Sequence, residues 1–263
     1  MSTVKLANDI IALEFDRSTG SLVQIRDLKR GINHIVDPDL ARLFRVVAPD
    51  DEHWLSRHVD SHDSKPSAMQ IDGDTLTIEY KDLATPNGTA SGIDATVTVK
   101  LPANADEARF ILDVHNRSTF RIDEIWFPWI GGWRGYDGVD KYAMMLGNGA
   151  CIDPFRIRNP IFGQSTFLKG HRRRYFGLNT GGLGLPMADL SGGDNGLSYI
   201  HYPASQQLGG IVVEDQNEWG GDSLPAWSWV HAVPVPPGES RRSDPVGIAT
   251  HDGDWHSTAD RMR

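Results

Sequence analysis

Asp94-Ala95-Thr96-Val97-Thr98-Val99-Lys100-Leu101 alternates apolar and polar residues with period two and is rich in β-branched side chains. In a strand, successive side chains point to opposite faces, so this pattern describes one that buries one face and wets the other. Arg109-Phe110-Ile111-Leu112-Asp113-Val114-His115-Asn116 follows in the same way, and Ile122 to Trp129 comes after a turn. Working outward, Ile10 to Phe15 reads as a strand turned by Ser18-Thr19-Gly20 into Leu22 to Ile25, and Ile71 to Tyr80 reads as a hairpin. Leu197 to Tyr202 and Gly209 to Glu214 complete the series. The 27 glycines and 15 prolines punctuate runs of strand length, and no internal segment carries helical periodicity. An all-β fold of packed antiparallel sheets follows, as a single domain over 1–263. The one helical signal is at 254–263, where Asp254 is placed to cap a short helix with Trp255, Ala259 and Met262 on one face.

The chain of 263 residues carries a formal charge of −9 and one cysteine, Cys151. An acidic chain lacks the electrostatic footprint of a nucleic-acid binder. No stretch reaches the ~18 apolar residues of a membrane span, and Met1 to Lys5 opens no signal peptide. The expectation is a cytoplasmic protein without a disulfide, with Cys151 a small buried residue. No glycine-rich phosphate loop opens a helix, so no nucleotide cofactor is expected. His58 and His62 are close in sequence but would need a helix to converge on a metal, so none is expected there.

Asn8 to Val36, NDIIALEFDRSTGSLVQIRDLKRGINHIV, resembles the opening hairpins of galactose-mutarotase-like β-supersandwiches. Val114 to Trp133, VHNRSTFRIDEIWFPWIGGW, and Pro236 to Arg263, PPGESRRSDPVGIATHDGDWHSTADRMR, are similar to segments of the N-terminal sandwich domains of large glycoside hydrolases. The last of these resembles the stretch that leads into a (β/α)8 catalytic barrel. The resemblance therefore implies a galactose-mutarotase-like supersandwich that binds a mono- or oligosaccharide. It also implies a cleft shared with a barrel subunit, or a homo-oligomer.

Candidate chemistry gathers in the second half of the chain. In GIVVEDQNEWGG an apolar strand delivers Glu214 to a glycine-rich loop holding Trp219. The resemblance implies a glutamate base at such a strand end with a glutamine two residues on, a spacing that Glu214 and Gln216 match. Opening a sugar ring needs an acid as well, and His171, His201 and His231 are the candidates. Trp219 and Trp229 are placed to stack on sugar C–H faces, whereas Trp126, alternating with Phe127, reads as core. KGHRRRYFG adds Arg173 and Tyr175 as contacts for an acidic sugar, since a guanidinium binds a carboxylate bidentately. Three activities stay open: a glycoside-hydrolase-type sandwich, a stand-alone aldose epimerase, and a polysaccharide lyase using Tyr175 beside Arg172 to Arg174.

Overall fold

The computed structural model describes residues 2–49, 57–136, 142–147, 151–152, 172–176, 185–205, 208–216 and 225–263. The first half holds β1 (Thr3–Ala7), β2 (Ile11–Asp16), β3 (Leu22–Asp27), β4 (Ile32–Val36), β5 (Arg45–Val47), β6 (His58–Asp60), β7 (Ala68–Asp72), β8 (Thr75–Tyr80), β9 (Ile93–Lys100) and β10 (Glu107–Asn116). Then come β11 (Glu124–Ile130), β12 (Trp133–Tyr136), β13 (Tyr142–Leu146), β14 (Cys151–Ile152), β15 (Arg172–Phe176) and β16 (Met187–Gly192). The chain closes with β17 (Asn195–His201), β18 (Leu208–Asp215), β19 (Pro225–Ala232), β20 (Ser240–Arg242), β21 (Val246–Asp252) and α1 (Trp255–Asp260).

These strands form three antiparallel sheets. The five-stranded sheet runs β1-β2-β3-β4-β12, and the ten-stranded sheet runs β14-β13-β16-β17-β21-β10-β9-β8-β7, with β20 beside β10. The six-stranded sheet runs β15-β18-β19-β11-β5-β6. The alternation at Asp94 to Leu101 becomes β9, whose burial alternates along its whole length and whose Val97 and Val99 are fully buried. A single apolar core takes residues from all three sheets, among them Phe15, Val97, Phe110, Phe127 and Ile211. The six-stranded sheet buries a second, smaller cluster on its other face: Val47, Trp126, Trp129, Val212, Ala226 and Val230. That sheet therefore has an inner face on the core and an outer face of its own.

Two expectations need correction. Cys151 is exposed, because it lies in a two-residue edge strand with a neighbour on one side only. The terminal helix is capped by the Asp254 side chain, which accepts from the His256 N–H, but its buried residue is Thr258. Trp255 is only half-buried and stacks on its own neighbour His256, with ring centres 3.8 Å apart. Thr258 is drawn in by polar partners. It donates to Asp189 (2.5 Å) and meets Ser198 (2.6 Å), while Asp189 also bonds His251 (2.6 Å). Arg261 adds a bidentate pair to Asp106.

Candidate functional site

The outer face of the six-stranded sheet is built by alternation. In β5, Val46 enters the main core while Arg45 and Val47 face outward; in β6, Val59 turns inward while His58 and Asp60 turn outward. In β18, Ile211 and Val213 belong to the main core, and Val212 to the outer cluster. Glu214 therefore points outward, opposite Ala226 of β19. Strand β11 breaks the rule usefully. Its register against β19 shifts between Trp126 and Trp129, across the cis peptide Phe127-Pro128. One extra residue reverses the phase, so two tryptophans three positions apart share the outer face.

A buried ion pair lies towards the β6 edge of this face. Arg45 donates from Nε and one terminal nitrogen to the two Asp60 oxygens at 2.6 and 2.7 Å. The guanidinium carbon sits 4.4 Å from the Trp129 ring centre and 5.2 Å from that of Trp126. The Trp126 indole N–H donates to Glu124 at 2.8 Å, which orients the ring. Burial pushes the Asp60 carboxyl up, but the Arg45 charge and hydrogen bonds, with His58 and Arg42, outweigh it and hold Asp60 below the usual carboxylate range. Burial likewise pulls the Arg42 guanidinium down, opposed by Asp60, Asp63 and Glu214. The Arg42 guanidinium is thus within electrostatic reach of Asp60, Asp63 and Glu214.

Gln216, expected as a sugar contact, lies beside this arrangement and uses its side-chain amide on the backbone. Its carbonyl oxygen accepts from the Gly132 N–H at 2.6 Å and its amide nitrogen donates to the Leu40 carbonyl at 3.1 Å. The approach is so close that a β-carbon on Gly131 would stand 2.5 Å from the Leu40 oxygen. Gln216 clamps the turn before Arg42 against the end of β18.

The sequence-selected residues divide. Glu214 lies on the outer face, 8% exposed. Trp229 and His231 lie on the inner face, because they are an odd number of residues from Ala226, the partner of Glu214. His201, from β17, stacks on Trp229 with ring centres 4.2 Å apart and meets His231 edge-on at 5.6 Å. All three are buried. Neither histidine therefore serves as the acid to a Glu214 base, and Trp229 offers no open ring face. Burial lowers the His201 pKa to about 4 against the pull of Asp244, 3.4 Å away. Burial and the neighbouring His201 lower His231 to about 3. Arg173 stands opposite Glu214, and Tyr175 opposite Val212, in the β15–β18 register. His171 and Trp219 lie outside the described residues.

Sequence reasoning missed Arg42, Arg45 and Asp60. The signal was present in Leu43-Phe44-Arg45-Val46-Val47, where a charge interrupts an apolar run and so must be paired when buried. An open cleft of about 500 Å³ also lies beside the inner side of β5 and β6, between Val46, Val59, Arg57, Asn87 and Phe120. His58 lines it, but none of the residues selected for sugar chemistry does. Among the described residues no group of three or more His, Cys, Asp or Glu is arranged to hold a metal.

The sheet order and the comparison with solved structures define the fold: the chain has the galactose-mutarotase-like supersandwich fold, with one short C-terminal helix. It is similar to a galactose mutarotase related enzyme from Lactobacillus acidophilus (TM-score 0.60, 10% identity), covering 95% of this chain and 97% of that one. A galactose mutarotase-like protein from Lactobacillus casei gives a TM-score of 0.55 at 10% identity, with 95% and 100% covered. A GH36 α-galactosidase from Geobacillus stearothermophilus, in complex with stachyose, gives 0.55 at 9% identity, covering 98% of this chain and 42% of the enzyme. A TPR-domain containing protein from Parabacteroides distasonis gives 0.55 at 12%, with 94% and 47% covered. The chain thus spans about half or less of the last two and nearly all of the first two. No family model matches the sequence, and no curated protein does.

Proposed function

We propose that the chain is a carbohydrate-active sandwich of the glycoside-hydrolase type, holding a sugar on the outer face of the six-stranded sheet at Glu214. The observation that carries this reading is the outward-facing Glu214 within electrostatic reach of the Arg42 guanidinium, on a sheet face that also holds the Arg45–Asp60 pair. A sugar presents hydroxyls that both donate and accept, and a carboxylate beside a guanidinium meets both demands. In this reading the sandwich lends its face to a cleft completed by a (β/α)8-barrel subunit or by a second copy. The GH36 neighbour, about two-fifths of which matches this chain, supports it. A stand-alone aldose epimerase is the second reading, supported by the two Lactobacillus neighbours that match almost end to end. There Glu214 is the base and His171 the acid.

The test is calorimetric titration with D-galactose, D-galacturonate and stachyose, paired with polarimetry of freshly dissolved α-D-galactose. Binding that disappears in Glu214→Gln while the fold is kept supports the site. Accelerated mutarotation by the wild type, cut by about 10²–10⁴ in the same variant, decides for the epimerase. A wild-type protein that binds none of the three sugars and leaves mutarotation unchanged overturns both readings.

A further inference from the structure

Among the described residues the three sheets end on six strands, β1, β12, β14, β7, β15 and β6, and the three-residue β20 pairs with β10 alone. An open edge offers unpaired N–H and C=O groups to any passing strand, and proteins commonly blunt it with a cation, a proline, a bulge or sheer shortness. Five of these edges are blunted. Strand β1 holds exposed Lys5 at its centre, and β15 begins with three arginines. Strand β12 is broken by a register shift between Trp133 and Gly135, while β6 and β14 are three and two residues long.

Strand β7 has none of these devices. Its five residues pair with β8 in unbroken register, from Ala68 opposite Glu79 to Asp72 opposite Thr75, without lysine, arginine or proline. Met69 and Ile71 lie opposite Ile78 and Leu76, both fully buried, and so share the core-facing side of the sheet. Met69 packs on the core, but Ile71 is 45% exposed. The core's apolar side reaches the edge of the sheet and stops there uncovered.

We infer that β7 is a self-association edge, on which a second copy of this chain sets its own β7 antiparallel about Gln70. This pairing places Met69 of each protomer beside Ile71 of the other on the core-facing side, so the apolar stripe continues across the junction. The strand's one charge, Asp72, is at its end, so the two-fold arrangement puts the two carboxylates at opposite ends of the junction, each beside an Ala68. A parallel pairing in register would set them together. A five-residue junction buries less than the ~1,200 Å² of a stable complex, so the dimer is weak and concentration-dependent. Each chain carries a charge of −9, and added salt strengthens the association by screening that repulsion.

Sedimentation equilibrium up to about 1 mM protein, at low and high salt, tests the inference. The expected result is a monomer–dimer equilibrium that shifts toward dimer with salt and is lost in Ile71→Lys. Gln70→Pro should also lose it, with thermal melting confirming that the variant is folded. The Ile71 variant keeps the test decisive if the proline disturbs β8. A wild-type monomer throughout the range overturns the inference, as does a dimer that survives Ile71→Lys.

Discussion

At Gly209 the demand for the smallest residue is set by a neighbour: an added β-carbon would stand 2.4 Å from the Trp229 indole nitrogen. Gly209→Ala must push that ring against His201, so it should cost about 1–3 kcal/mol by overpacking, read as a lower melting temperature with altered tryptophan fluorescence. The Arg45–Asp60 pair predicts a larger effect. Asp60→Ala leaves a buried guanidinium without its carboxylate and should cost about 3–5 kcal/mol in a denaturant titration. Replacing both, by Arg45→Met with Asp60→Leu, should recover much of that loss, because the charge to be stabilised is gone. A double variant no more stable than Asp60→Ala would contradict the pairing. Sequence could reveal Glu214 through its place at the end of an apolar strand. It could not reveal that Trp229 and His231 face away, because their side is fixed by the β18–β19 register, which no local pattern encodes. Trp126 and Trp129 were obscured by the reverse problem, a single-residue shift that changes the phase of alternation within one strand.

The elements themselves were largely legible. The residues read as strands at Asp94–Leu101, Arg109–Asn116 and Gly209–Glu214 lie almost wholly in β9, β10 and β18, because period-two alternation is a local signal. Helix α1 was found through its cap and misjudged in its contacts. An apolar stripe was expected to dock it, whereas Thr258 does so through Asp189, Ser198 and His251. Thr258→Val keeps the shape but leaves Asp189 short of a donor, so it should lower stability by about 1–3 kcal/mol. Trp255→Ala should cost less than that, since the ring is half-exposed and rests on His256. Thermal melts of the two variants in parallel check the order. The opposite ranking would restore the apolar stripe as the docking device.

At the scale of the molecule, three buried histidines among the described residues, each with a lowered pKa, shape the response to acid. His34, His201 and His231 have pKa values lowered to about 3, 4 and 3, burial being the main cause in each. In the unfolded chain each titrates near its ordinary value of about 6.5. As pH falls below that value the unfolded state takes up protons that the folded state refuses, so stability drops from about pH 6.5 toward pH 4. Asp60, whose pKa is lowered, acts in a separate window. Its contribution is present above the ordinary carboxylate value of 3.8 and fades only as pH falls below it. Urea midpoints measured from pH 7 downward should therefore begin to fall well before carboxylates protonate. His201→Gln with His231→Gln should flatten that fall. A midpoint constant to about pH 4.5 in the wild type would mean that these rings are not buried neutral.

Strand β21 lies between β17 and β10 in the middle of the ten-stranded sheet. A ribosome delivers the two flanking strands long before the residues that must fill the gap between them. Until residue 252 has emerged, β10 and β17 expose pairing edges to each other's wrong partners and to neighbouring chains. Closure of the ten-stranded sheet therefore waits until late in synthesis.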